Sequence, residues 1–191
     1  MRRRLEARGA TFRRISADDD LAAAIRALAI LHHARWAARG GSAALDARIE
    51  RMLAEAAGPM ARAGRLWVWA IEADGRIVSA YLFVRGGDRL AYWLGGHDDG
   101  WGACQPGMQV LLAALEDAFD RRFAALDLGP GVQPYKTRLT DDVVVLDSAV
   151  LTPIGRAYPL ARAVLAGLGL RRAAMPPLRA AWSRRPGARE A

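Results

Sequence analysis

Two periods divide the chain. In residues 21–36 the apolar positions Leu21, Ile25, Leu28, Leu31 and Trp36 recur every three or four residues, the spacing that gathers side chains on one side of a helix. Asp18-Asp19-Asp20 stands in front and Gly40-Gly41 behind. Carboxylates suit the positive end of a helix and glycine its exit, so a helix over 21–39 is predicted. Leu45, Ile49, Met52 and Leu53 repeat the spacing up to Gly58-Pro59, and a third short helical piece reaches Ala63. From Arg65 strand formers take over. Residues 66–71 are Leu-Trp-Val-Trp-Ala-Ile, Asp74-Gly75 signals a tight turn, residues 77–84 return, and Gly86-Gly87-Asp88 turns again into a third strand at 90–94. That is an antiparallel meander. It runs into Gly95-Gly96-His97-Asp98-Asp99-Gly100, whose polarity and glycines predict a flexible loop. Pro106-Gly107 then opens a helix with Met108, Leu111, Leu112, Leu115, Ala118 and Phe119 on one side. A short buried strand follows at 125–128. Further strands are expected at 143–146 and 149–151, then an amphipathic helix over 153–170. Helices, a meander, a helix and a further strand make an α+β fold, a mostly antiparallel mixed sheet flanked by helices.

Composition adds limits. At 191 residues the chain is long enough for one ordinary core, and 52% hydrophobic with 25% charged residues describes a folded, soluble protein. Residues 1–14 are basic, with Leu5 and Phe12 as anchors, and read as a linker or an edge strand. Residues 15–175 are expected to form the domain, and 176–191, arginine-rich after Pro176-Pro177, a loose tail. The net charge is +8 and the pI about 10.8, but the arginines fall in scattered pairs. Without zinc spacing, an RNA-binding aromatic signature or a long basic run, nucleic acid is not the expected partner. A lone Cys104 excludes an internal disulfide framework. No signal-like segment or stretch long enough to span a bilayer occurs, so the cytoplasm is the expected compartment.

Candidate chemistry concentrates after the strand at 125–128. Asp127-Leu128-Gly129-Pro130-Gly131 breaks the strand, and Tyr135-Lys136 follows. Lys136 is the one lysine against 27 arginines. A compact amine whose pKa moves on burial stands where the rest of the chain writes a fixed guanidinium. His32, Arg35 and Trp36 lie within one helical turn and can share a face.

The order of these elements resembles the GNAT acyltransferase fold. Leu31-His32-x-x-Arg35-Trp36 followed by Gly40, the strand pair about Asp74-Gly75, Pro106-Gly107 before the long helix, and Asp127-x-Gly129 leading to Tyr135-Lys136 resemble, over roughly residues 3–141, the carboxyl-terminal domain of the CelD/BcsL-type acetyltransferases. These are linked to cellulose and other exopolysaccharide production; the Fem-type peptidyltransferases are more distant. The resemblance implies an acyltransferase using acetyl-CoA as donor, without a metal, on a sugar, amino sugar or related small acceptor for envelope polysaccharide. Fem-like aminoacyl transfer from a charged tRNA and a catalytically silent, partner-binding domain are the alternatives. Family members usually carry a second, similar domain, so such a domain or a homodimer is an expected partner. In place of the usual Gln/Arg-x-x-Gly-x-Gly/Ala loop for the donor pyrophosphate stands Gln105-Pro106-Gly107-Met108-Gln109, which assigns Gln105, Gly107, Met108 and Gln109 to the donor. Acyl transfer needs a base, oxyanion donors and an acid for the thiolate. His97 is the expected base, Tyr135 the acid, and Lys136 the holder of a phosphate or developing charge. Asp127 is expected to fix the loop, and His32, Arg35 and Trp36 to face the acceptor.

Overall fold

The computed structural model describes residues 1–38, 40–42, 44–146, 159–160, 162–164 and 166–167. It divides into two units, Met1–Thr140 and Asp141–Ala191. In the first, α1 (Arg2–Glu6) and β1 (Thr11–Ile15) lead into α2 (Leu21–Ala37) and α3 (Ala47–Arg62). The meander β2 (Leu66–Ala73), β3 (Arg76–Gly86) and β4 (Arg89–His97) follows. A 3-10 turn (Asp99–Cys104), α4 (Pro106–Asp120), β5 (Ala125–Asp127) and α5 (Lys136–Leu139) complete it. The strands form one sheet in the order β1-β2-β3-β4-β5, antiparallel except for the parallel β4–β5 pair. Residues 1–14 therefore contain the edge strand, and Leu5 is fully buried.

Both sheet faces are covered, which explains why β2 is an unbroken apolar run. Leu66, Val68 and Ala70 join Ala80, Leu82 and Leu94 under α2 and α3, whereas Trp67 and Ile71 join Tyr81, Phe83 and Leu90 under α4. Asp20 caps α2 by accepting the Ala23 amide at 2.8 Å, a bond worth about 1 kcal/mol. α3 continues through Gly58-Pro59 to Arg62, so the expected break there is corrected. Glycine before proline has no Cβ for the ring to strike, and buried Leu53 and Ala57 hold the helix on the sheet.

Three more expectations are corrected. Gly95, Gly96 and His97 belong to β4, paired with Tyr81, Ala80 and Ser79, and not to a loop. A side chain at Gly96 would strike the His32 amide nitrogen of α2 at 2.5 Å, and one at Gly95 the Tyr81 ring at 2.5 Å. Here glycine marks close packing inside a strand. α4 buries Val110, Leu111, Ala114 and Ala118, while Leu115 and Phe119 are exposed. Small residues let that helix approach the aromatic face of the sheet. Residues 143–146 lie in the second unit and form no strand; Val143, Val144, Val145 and Leu146 are exposed. The strand expected at 149–151 and the tail lie outside the described residues. So does most of the expected 153–170 helix, whose described residues are helical.

Candidate active site

The site begins with a fault in β4. Phe83 faces Tyr92 and Leu82 faces Leu94, so Trp93 is an extra, unpaired residue. A bulge of this kind reverses which side the following residues face. Tyr92 packs with the α4-side core and Leu94 with the α2-side core. Gly95 and His97 accordingly look toward α4, with Gly96 toward α2. β5 pairs with β4 only from Arg89 to Ala91. Beyond Ala91 the two strands part, leaving the outer edge of β4 from Tyr92 to His97 without a strand among the described residues. Such an edge carries unpaired amides and carbonyls available to an extended ligand.

On α2, His32 is buried. Its Nδ1 lies 3.0 Å from the Gly95 carbonyl and its Nε2 2.8 Å from Ser42 Oγ, so both nitrogens are occupied inside the protein. Burial holds its pKa below the ordinary histidine value, with the neighbouring His33 and Arg35 acting the same way. The Trp36 ring lies 6.1 Å from that of His32. Arg35, half-buried, hydrogen-bonds the Tyr81 phenol, and its charge is felt at Tyr92, His97 and Tyr135. The same helix turn thus supplies one residue that pins α2 to β4 and one that reaches the parted strands.

His97 Nδ1 is buried and without a hydrogen-bond partner, while Nε2 lies 3.8 Å from Asp99 Oδ1. Burial lowers the His97 pKa, Arg35 lowers it further, and Asp99 and Asp98 act against both. The imidazole is therefore neutral at pH 7 and has a free ring nitrogen. Asp98 is held by Arg76 at 2.7 Å and by the Gly100 amide at 2.9 Å.

Past β5, Asp127 accepts the Gly129 amide at 2.7 Å. Gly129 and Gly131 take positive φ of 76° and 89°, turning three successive carbonyls inward. Lys136 Nζ donates to all three, Gly129 at 2.8 Å, Pro130 at 2.9 Å and Gly131 at 3.3 Å. An ammonium has three protons, so each has an acceptor within the loop. Burial lowers the Lys136 pKa and Asp127 opposes the shift. The clamped loop ends at Tyr135, the residue that begins α5, which packs on the α4-side core. Burial raises the pKa of Tyr81, Tyr92 and Tyr135 alike, so all three phenols keep their protons at neutral pH.

Tyr81 and Tyr92 are the members of this cluster that sequence reasoning missed. In a strand they look like core aromatics, their rings 5.1 Å apart. The usable signal was Gly95-Gly96 beside His97, since consecutive glycines in a strand imply something pressed against it.

α4 begins at Pro106 with Gln105 in the left-handed region and no side-chain cap. Helix geometry leaves the Gly107 and Met108 amides without an intrahelical acceptor, at the positive end of the dipole. Those amides fit an anionic donor group. The glycine itself has a different reason: a Cβ at Gly107 would meet Tyr81 Oη at 2.4 Å and His97 Nδ1 at 3.1 Å. Gly107→Val is therefore expected to displace both side chains at a cost of roughly 1–3 kcal/mol and to suppress turnover in a protein that still folds. Unchanged turnover with a normal melting curve would sink that reading. Among the described residues no group of His, Cys, Asp and Glu could hold a metal, and no helix is long and apolar enough to cross a membrane. An apolar groove between α2 and α3, lined by Leu21, Ile25, Leu45, Leu53 and Ala57, contains none of the clustered residues.

Comparison with known proteins agrees with this architecture. The chain superposes on a GCN5-related N-acetyltransferase from Ralstonia eutropha JMP134 with a TM-score of 0.58, at 17% identity, over 75% of this chain and 99% of that one. It superposes on an aminoglycoside acetyltransferase from an uncultured soil metagenomic sample, in complex with trehalose, with a TM-score of 0.54 at 14% identity, over 78% and 99%. A predicted acetyltransferase with acetyl-CoA from Clostridium acetobutylicum gives 0.53 at 12% identity, over 72% and 96%. At these identities the likeness is one of fold. No curated protein matches the sequence. Residues 1–137 match the model of the acetyltransferase (GNAT) domain, and the chain belongs to that family.

Proposed function

We propose that the protein transfers an acetyl group from acetyl-CoA to the amine or hydroxyl of a sugar, amino sugar or related small acceptor, in envelope or exopolysaccharide biosynthesis as the CelD/BcsL-type resemblance implies. The observation that carries the acetyl-transfer reading is the meeting of three groups at the parted strands. These are a neutral His97 with an unpartnered nitrogen, a protonated Tyr135, and Arg35 between them in electrostatic reach of both. The α4 amides of Gly107 and Met108 would take the donor's phosphates. In the transfer, the acceptor nitrogen or oxygen forms a bond to the acetyl carbon as the carbon–sulfur bond breaks. His97 takes the acceptor's proton and Tyr135 gives one to the departing sulfur. The two side chains then exchange protons with solvent, and the products are the acetylated acceptor and free thiol. His32, with both nitrogens occupied, and Lys136, with its three protons spent, position α2 and the loop.

The test is acetyl-CoA-dependent acetylation of a panel of amino sugars, read by product mass and followed against pH. Because the His97 pKa is lowered, kcat/KM should stay level through pH 7 and fall only below the ordinary histidine range. Arg35→Gln removes a cause of that lowering and should move the acidic limb upward. A limb unaffected by Arg35→Gln and retained in His97→Gln would remove His97 from the base role, and no acetylated product from any acceptor would end the reading.

A further inference from the structure

The unexplained charge in the site is Arg35. Among the described residues, the side chains of Arg2, Arg13, Arg14, Arg76 and Arg121 each meet a carboxylate within 4 Å, and no such pair includes Arg35. Its neighbours are three phenols and a neutral imidazole. Withdrawing a cation from water without a counter-charge is costly, and where the cost is kept in a cleft it marks a site for a ligand of opposite charge. The guanidinium is also aimed. One contact goes to Tyr81, a buried residue whose hydroxyl is wedged so closely against Gly107 that no Cβ would fit. That leaves most of the fork's five N–H donors for a planar anion, and a carboxylate is the group this fork binds bidentately.

We infer that Arg35, oriented by Tyr81, recognises a carboxylate on the acceptor, so that the substrate class is an acidic amino sugar carrying its amine and carboxylate on one molecule. This rests on the acetyl-transfer reading and narrows it. With the carboxylate on Arg35, the acceptor's nucleophile need lie only a few bonds away to reach His97, whose pKa already registers the Arg35 charge. The same charge disfavours polycationic acceptors, whose ammonium groups would face it unscreened.

The experiment compares glucosamine with its 3-O-lactyl ether, muramic acid, as acceptors for wild type, Arg35→Lys and Arg35→Gln, with kcat/KM for each acceptor and KM for acetyl-CoA. Wild type should prefer muramic acid by roughly 10- to 100-fold, the scale of a hydrogen-bonded charge pair. Arg35→Gln should bring the ratio to about one, and Arg35→Lys, a point charge without the fork, should fall between. A wild-type ratio near one overturns the proposal, as does a loss in Arg35→Gln that is equal for both acceptors and accompanied by a raised KM for acetyl-CoA. That second pattern would assign the guanidinium to the donor's phosphates. If neither sugar is acetylated, titration calorimetry of muramic acid against glucosamine with the same three proteins decides the matter separately: selective binding lost in Arg35→Gln upholds carboxylate recognition while the acetyl-transfer reading falls, and equal binding rejects it.

Discussion

Tyr135→Phe is expected to lower kcat by about 10²–10⁴-fold, the usual contribution of one positioned general acid, with KM for both substrates nearly unchanged. The substitution keeps the ring, which packs on the α4-side core, and removes only the proton donor, so the loss belongs in the transition state. The cluster contains its own controls. Tyr81→Phe removes the partner of Arg35 and should act mainly on acceptor KM, whereas Tyr92→Phe leaves that contact in place. Steady-state kinetics on the three variants separate the roles. Should Tyr92→Phe lose kcat and Tyr135→Phe retain it, the acid is Tyr92 and the assignment made from the loop is wrong.

Lys136 carries the second large effect, for a reason other than charge. Its ammonium closes a ring of three carbonyls held by two left-handed glycines. In Lys136→Met those carbonyls lose their donor, which costs roughly 1–3 kcal/mol for buried polar groups left unpaired. Lys136→Arg preserves the charge, but a planar fork cannot point three donors into a space that fits a tetrahedral ammonium. Both variants should release the loop and move Tyr135, with a loss in kcat/KM on the order of 10²-fold, as a displacement of about 1 Å entails. Circular dichroism should show the sheet and helices intact. If Lys136→Arg retains full activity, the clamp has no part in placing Tyr135.

These two predictions show where sequence reading reached and where it stopped. The meander was legible because Asp74-Gly75 must turn, both residues taking positive φ, and because strand formers flank it on both sides. α4 was legible from Pro106, a residue suited to a first helical turn. Lys136 stood out by composition, yet composition could not say that its partners would be carbonyls of its own loop. The acceptor helix was visible from its period, but the division of labour within it was not: His32 is fixed by Gly95 and Ser42, which lie 63 and 10 residues away. Tyr81 and Tyr92 were invisible for the same reason. A strand aromatic becomes part of a site only when a bulge at Trp93, glycines at 95, 96 and 107 and a guanidinium from another element converge on it, and each of those is a tertiary fact.

The α4 stripe was misread for a related cause. Periodicity favoured the large residues Leu115 and Phe119, but the helix buries the small ones because the sheet beneath supplies the bulk in Trp67, Tyr81 and Phe83. Volume at a contact is shared between partners, and one strand of text shows only one partner. The three glycines of the site are small for the same reason.

The central claim is that the parted β4 and β5, the free amides at the start of α4 and the His97–Tyr135 cluster together form an acetyl-CoA site. Isothermal titration of the full chain with acetyl-CoA tests it most directly. The account predicts saturable binding at one donor per chain, weakened in Gly107→Val. Absence of binding by a protein whose circular dichroism and melting transition show it to be folded would contradict it.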